Sequence, residues 1–271
     1  IFLEHTRELG DTLTAIAEDK SHVITGEQKC VYFAEQEPEV LKVLVRRAEM
    51  LQVPYKFYGR DFQAENIRYT CSGMQFDVVI GQTVYPDLQI PLLGEHQAKN
   101  CTLALAVCVD VMTDLYREST TFSMPAVREN LSLLHWPGRM EVLRSEPFVL
   151  LDACINAASC ENVREVLRYL GIQNCTVIVG IPEDKDYVGV VRSMKDMTGR
   201  IILTKSGNPH YHFSQKQQEV LAREEIPAEW TDSVEQALTL AGSCPDPIVI
   251  LGTTSVISEV ERIFGNLNLP S

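Results

Sequence analysis

The sequence predicts an α/β protein whose second half forms a mainly parallel sheet covered by helices. Four short apolar runs lie there, and segments with helical periodicity separate them. Continuous apolar runs of this length are typical of parallel strands that are buried on both faces. In chain order, the runs are residues 148–154, 175–181, 200–206 and 247–253.

The first half combines strand and helix patterns with a predicted antiparallel meander. Strand-like runs at 29–34 and 53–59 flank a helical pattern at 37–51. Because a doubly wound nucleotide-binding domain normally has more parallel strands than this, we expect an incomplete domain. The meander is predicted from runs at 67–73, 76–81 and 88–93, and two helices are expected after it, at 97–117 and 124–134.

The expected domain boundary follows the second of these helices. Pro137 and Gly138 interrupt the helical pattern, so we expect domains at 1–135 and 136–271, the second of them Rossmann-like. The chain begins with Ile1 in the middle of a pattern, which suggests a fragment of a longer protein.

Composition excludes several classes of protein. Hydrophobic residues make up 45% of the 271 residues and charged residues 23%, as in globular proteins. The net charge of -13, with no local basic patch, argues against nucleic-acid binding. Apolar runs fall short of the roughly 18 residues that span a membrane. The eight cysteines lack regular spacing, which favours reduced thiols in a cytoplasmic protein over a zinc site or disulfides.

A G-x-H-Q-x-x-N motif occupies residues 94–100 and opens the first of the two predicted helices. Gly94 allows a tight entry to the helix. Gln97 and Asn100 lie three residues apart on one helical face, where two amides can hydrogen-bond a purine edge. Alternatively, both are polar positions on the exposed side of an apolar helix.

A W-P-G-R motif at residues 136–139 lies at the expected domain boundary. Pro137 and Gly138 form a turn, and Arg139 follows it, so that its guanidinium can meet a phosphate. A plain surface arginine is the alternative.

Together, these motifs resemble those of the Mur ligase superfamily, and within it the folylpolyglutamate synthase and dihydrofolate synthase branch. The N-terminal segment supports this, because E-H-T-R-E-L-G-D-T resembles the family's D-H-x-x-x-L-G-x-T. The resemblance implies that His5 is a magnesium ligand and that Lys20 is a carbamylated lysine of the metal site. Otherwise, His5 is a surface residue and Lys20 a helix-terminal cation stabilised by the helix dipole.

The resemblance also implies roles in ATP binding. Asn100 would contact the adenine with support from Gln97, and Arg139 would contact the phosphates. L-L-D-A-C-I-N at 150–156 resembles the family's L-D-G-A-H-N-P, which implies that Asp152 binds the nucleotide or supports the metal, although a helix cap is equally open. Ile155 replaces the family histidine that is associated with the amino-acid substrate, and isoleucine neither donates a hydrogen bond nor titrates.

Three further segments resemble family motifs less closely. In G-I-P-E-D-K-D at 180–186, Asp184 is predicted to cap a helix, with Lys185 and Asp186 lining a cleft as the alternative. S-G-N-P-H at 206–210 is predicted to be a turn. G-T-T-S-V-I-S-E at 252–259 opens a helix whose free N–H groups suit a carboxylate.

For the whole chain, the resemblance implies an incomplete Mur-ligase central ATPase domain followed by the C-terminal ligase domain. The implied reaction uses ATP and Mg²⁺ to add L-glutamate to folate or dihydropteroate through an acyl phosphate, and we expect a monomer. A divergent paralogue that binds nucleotide or folate without ligation, and a Mur-type ligase with another acceptor, stay open. The chain has no G-x-x-x-x-G-K-[ST] phosphate loop, so we expect this piece alone to be inactive.

Overall fold

The computed structural model describes residues 1–2, 9–116 and 123–267 of the chain. They divide into two compact units, the first comprising residues 1–91 and 95–134 and the second residues 92–94 and 135–271. Within the described ranges, no helix is long and apolar enough to cross a membrane.

The first unit begins with a helix pair packed on a small parallel sheet. Helices α1 (Leu13–Ser21) and α2 (Pro38–Met50) pack together, and strands β1 (Val31–Phe33) and β2 (Tyr55–Phe57) pair in parallel. Apolar side chains of all four elements form one core, which includes Ala17, Phe33, Val40, Leu44 and Tyr55.

An antiparallel meander follows, as predicted, but its strands begin earlier in the chain than the sequence indicates. They are β3 (Phe62–Thr70), β4 (Gly73–Ile80) and β5 (Thr83–Ile90). Helix α3 (Glu95–Tyr116) packs on β3 and β4, and α4 (Met124–Ser132) packs on β5. The first predicted run is misplaced because it includes the turn between β3 and β4.

One aspartate links all three strands of the meander. In the central strand, Asp77 accepts hydrogen bonds from the side chain of Asn66 on one side (2.6 Å) and from the backbone N–H of Asp87 on the other (2.8 Å). Asn66 and Asp87 have left-handed backbone, with φ of 52° and 54°, and lie where the strand register shifts. These hydrogen bonds stabilise two left-handed backbone conformations, which non-glycine residues rarely adopt, at irregular points of the sheet.

The second unit contains a six-stranded sheet, predicted as mainly parallel. Its order is β10-β9-β8-β11-β7-β6, and only β6 is antiparallel to its neighbour. The strands are β6 (Glu141–Ser145), β7 (Phe148–Asp152), β8 (Cys175–Gly180), β9 (Thr198–Leu203), β10 (Glu229–Trp230) and β11 (Ile248–Gly252). The helices are α5 (Ala157–Tyr169), α6 (Tyr187–Met194), α7 (Lys216–Arg223), α8 (Val234–Ala241) and α9 (Thr254–Leu267).

The sheet of the second unit is buried on both faces. Alternate residues of its central strands, such as Leu151, Ile178 and Ile250, pack in one core with side chains of α8 and α9. Their neighbours Leu150, Val177 and Val249 are also fully buried and point to the opposite face. Because β7, β11, β8 and β9 are parallel neighbours, their carboxyl ends lie side by side at one edge of the sheet. Doubly wound sheets bind ligands at this edge.

Candidate functional site

Asp152 ends β7 at the carboxyl edge of the sheet. Its side chain is only 5% exposed and accepts a hydrogen bond from the backbone N–H of Met140 (2.9 Å). Burial raises the pKa of this carboxyl to about 6, while the N–H groups of Met140 and Cys154 and the charge of Arg139 act in the opposite direction. At neutral pH, this site therefore has a buried carboxylate beside an arginine.

The W-P-G-R turn is joined to Asp152 through its backbone. The carbonyl of Gly138 accepts a hydrogen bond from the N–H of Ala153 (2.8 Å), and Met140 binds the Asp152 carboxylate on the other side of Arg139. Gly138 has a φ of 63°, and a Cβ atom there would lie 2.5 Å from Cγ2 of Ile257 in α9. The turn thus needs glycine for both its backbone conformation and its packing.

Arg139 itself is exposed. Its backbone is fixed on both sides while its guanidinium faces solvent near Asp152. An exposed guanidinium on a rigid turn suits a phosphate, because its planar fork forms paired hydrogen bonds with oxygen atoms. The structure thus brings two predicted site residues of the second unit, Arg139 and Asp152, close together.

Helix caps account for two other residues of the family-like motifs. Asn156, rather than Asp152, caps α5, accepting a hydrogen bond from the N–H of Ser159 (2.8 Å). The prediction for Asp184 is wrong, because α6 begins at Tyr187 and its cap is Asp186. Asp184 lies in the preceding loop, with its carboxylate 3.9 Å from the Lys185 amine.

The segment at 206–210 binds the beginning of α9. Asn208 donates a side-chain hydrogen bond to Oγ of Ser255 (2.8 Å), and the N–H of Gly207 donates to Glu259 (2.7 Å). Beside them, Thr253 is buried, and its hydroxyl has no hydrogen-bond partner among the described residues. Hydroxyl, amide and carboxylate groups therefore meet at the amino end of this helix, where backbone N–H groups suit an anion.

In the first unit, the predicted amides lie on the first turns of α3. Gly94, with a φ of 103°, directly precedes the helix, which begins at Glu95. Gln97 is 8% exposed, whereas Asn100 is exposed and donates a hydrogen bond to the side-chain carbonyl oxygen of Gln97 (3.4 Å). The buried amide can thus orient the exposed one.

The predicted metal residues are described only in part. Lys20 lies exposed in the last turn of α1, as predicted. His5 lies outside the described residues. In the part of the chain that the structure describes, His, Cys, Asp and Glu side chains do not gather in groups of three that could hold a metal ion.

Asp186 is the residue of this region whose role the sequence analysis missed. It caps α6 through the N–H of Gly189 (3.0 Å) and also accepts a hydrogen bond from the N–H of Ala157, the first residue of α5 (3.0 Å). The glycine three residues after Asp186 is a local signal for the first contact, but the second joins residues 29 positions apart.

Comparisons with known proteins agree with the motifs. No family model matches the chain. The folylpolyglutamate synthase of Lacticaseibacillus casei is 24% identical over 265 residues, which are 97% of this chain and 60% of the relative. The dihydrofolate synthase/folylpolyglutamate synthase of Mycobacterium tuberculosis is 26% identical over 215 residues, which are 77% of this chain and 44% of the relative.

Solved structures show the same fold. The Mycobacterium tuberculosis folylpolyglutamate synthase complexed with ADP and AMPPCP superposes with a TM-score of 0.84 at 24% identity, over 100% of this chain and 63% of that protein. The chain thus spans about 60% of the length of the Lacticaseibacillus casei relative and 63% of the Mycobacterium tuberculosis structure. These relatives and neighbours confirm the resemblance to the folylpolyglutamate and dihydrofolate synthases of the Mur ligase superfamily that the sequence motifs predict.

Proposed function

We propose that the chain is part of an ATP-dependent ligase that joins L-glutamate to the carboxylate of a folate or dihydropteroate. The match of the entire chain to a nucleotide-bound folylpolyglutamate synthase fold carries this proposal. The buried carboxyl of Asp152 near Arg139 supports it, because groups with perturbed pKa values cluster at functional sites and doubly wound sheets bind ligands at this edge.

In the proposed reaction, ATP transfers its γ-phosphoryl group to the folate carboxylate and leaves as ADP, and the amine of glutamate then attacks the acyl phosphate to form an amide and release phosphate. Arg139 neutralises negative charge on the transferring phosphoryl group. Asp152 keeps the arginine-bearing turn in place through Met140. Its carboxylate would also accept a hydrogen bond from the nucleotide or support the metal. Asn100 binds the adenine, oriented by Gln97.

Mg²⁺ fits this proposal with few protein ligands, because it usually keeps several waters and binds through one or two side chains and the substrate phosphates. His5 and a carbamylated Lys20 are the proposed ligands, and Lys20 lies exposed in the last turn of α1. When bound, the ion would shield the phosphate charge. We propose a monomer in the cytoplasm, with domains at 1–135 and 136–271.

The experiment uses the full-length protein that contains this chain. It is incubated with ATP, Mg²⁺, radiolabelled L-glutamate and either dihydropteroate or tetrahydrofolate, and the labelled pterin product is separated by chromatography. The proposal predicts a product that requires ATP. Asn100→Ala should raise the KM for ATP about tenfold, as expected for the loss of one hydrogen bond that recognises a base. Asn130→Ala on α4 is the matched control, because its side chain bonds the carbonyl of Ala126 in its own helix.

One observation favours a second candidate, a paralogue that binds the nucleotide without ligating glutamate. Ile155 is half-buried in the loop before α5, where an isoleucine can neither donate a hydrogen bond nor move a proton. ATP binding by calorimetry without any labelled product, with either pterin and with other amino acids in place of glutamate, would contradict the ligase and support the paralogue. A product with a different amino acid or acceptor would instead identify a ligase of changed specificity.

A further inference from the structure

Asp186 connects two helices at the carboxyl edge of the sheet. One of its carboxylate oxygens accepts the N–H of Gly189 in α6, and the other accepts the N–H of Ala157 in α5, both at 3.0 Å. Each helix follows a loop from the sheet, namely loop 153–156 after β7 and loop 181–186 after β8. A single side chain therefore fixes the distance between these two loops.

The electrostatics of the helix pair explain why a carboxylate lies there. Helices α5 and α6 pack side by side and begin at the same edge of the sheet. The amino end of each helix has a partial positive charge of roughly half a unit, so two adjacent ends repel each other. The carboxylate of Asp186 between them offsets both charges, and hydrogen bonds to an ionised acceptor are about twice as strong as neutral ones.

The backbone is shaped to fit this contact. A Cβ atom on Gly189 would lie 2.2 Å from a carboxylate oxygen of Asp186, so only glycine leaves space for the carboxylate at this position. The two helices have a second connection away from their amino ends, because Arg164 in the middle of α5 binds Asp196 beyond the end of α6 (2.8 Å). Different residues thus join the helix pair at these two places.

We propose that Asp186 is a positioning residue that holds loop 153–156, and with it the backbone around Asp152, in register with loop 181–186 for nucleotide binding. This inference rests on the proposed function, because Asp152 is assigned there to the nucleotide. Asp186 acts through the two helix ends and not by touching the reacting atoms.

The test compares three variants. Asp186→Ala removes both hydrogen bonds, and Asp186→Asn keeps acceptor capacity for one N–H but removes the charge. Asp196→Asn is the matched control, since it weakens the second connection between the same two helices, away from their amino ends. If Asp186→Ala does not fold, Asp186→Asn provides the result.

In the full-length enzyme, we expect the KM for ATP to rise about tenfold in Asp186→Ala and less in Asp186→Asn, with kcat changed less than about twofold. Asp196→Asn should leave the KM unchanged. An equal rise in the control, or no rise in either Asp186 variant, would overturn the positioning role.

A second readout does not depend on ligase activity. In amide NMR spectra of the chain, Asp186→Ala should shift the resonances of Ala157 and Gly189 and also those of Cys154 and Asn156 in loop 153–156, whereas Asp196→Asn should not. Unchanged loop resonances would overturn the inference. If the wild-type enzyme makes no product but the loop resonances shift as expected, the proposed function fails and the positioning of the loop stands.

Discussion

In each unit of the chain, an aspartate accepts a hydrogen bond from the backbone N–H of a left-handed residue: Asp152 from Met140, and Asp77 from Asp87. The surroundings of these two aspartates shift their pKa values in opposite directions. Burial raises the pKa of Asp152 to about 6, whereas hydrogen bonds from Asn66 and Asp87 hold the pKa of Asp77 below its ordinary value of 3.8. The backbone hydrogen bond lowers the pKa at both residues, but at Asp152 the cost of burial outweighs it, so that ionisation of Asp152 costs stability.

This difference separates a structural residue from a functional candidate. Burial favours the protonated form of Asp152. The same burial strengthens the interaction of its ionised form with a ligand or with Arg139. Near the surface, the Asp77 carboxylate has a simpler use, since it supports two strand irregularities. Three predictions test this contrast, in order of decreasing effect.

The largest effect is expected from Gly138→Ala, which disrupts the turn that Asp152 binds. The added methyl group would overlap with Ile257 and occupy a left-handed position, so we expect a loss of about 3 kcal/mol in the free energy of unfolding. Gly171→Ala is the control. Gly171 also has positive φ, but its added methyl group would meet no described atom within 4 Å, and about 1 kcal/mol is expected there. Urea unfolding followed by tryptophan fluorescence measures both, and equal losses would show that contact with Ile257 is unimportant.

The second prediction concerns pH. Because the folded-state pKa of Asp152 is raised, the folded protein binds more protons than the unfolded chain between pH 3.8 and about 6, and stability falls as the pH rises through this window. Relative to Asp152→Asn, the wild type should therefore lose about 2 kcal/mol between pH 4 and pH 7. A difference between the two proteins that stays constant with pH in urea unfolding would contradict the raised pKa.

The smallest effect is expected at Asp77, with the opposite sign. Its lowered pKa contributes stability above the ordinary value of 3.8, and this contribution is lost as the pH falls through the folded-state pKa. Asp77→Asn keeps an acceptor for Asp87, so we expect a loss below about 1 kcal/mol at pH 7 that vanishes in acid. Hydrogen exchange of the Asp87 amide measures this loss of stability. The quantity compared is the ratio of the exchange rates in the variant and the wild type at the same pH. A ratio that is equal in acid and at neutral pH would show that the charge has no role.

Much of the fold can be predicted because its central strands are continuous apolar runs. Val149 to Leu151 and Val177 to Val179 are buried on both faces, and such strands are clear in a sequence. Strand β6 escapes prediction, since it is an antiparallel edge strand with mostly exposed residues. The beginning of β3 is likewise missed, because the register shift between Glu65 and Arg68 interrupts the alternation.

The candidate site is predictable only at the level of residue types. Motifs indicate Arg139 and Asp152, but the contact between Asp152 and Met140 depends on the pairing of β6 with β7. The contact of Asp186 with Ala157 depends on two helices that pack side by side. Contacts of this kind arise from tertiary structure, so local sequence cannot specify them.

The rigid turn at residues 138–140 has a consequence for the thermodynamics of ligand capture. Since the peptide groups around Arg139 are already immobilised by Ala153 and Asp152, an arriving anion needs to order only the arginine side chain. The entropy lost on capture is then limited to about 2 kcal/mol of rotamer freedom, without the further loss that a flexible loop would add. A cation whose backbone is ordered in advance therefore retains more of its electrostatic attraction as net affinity.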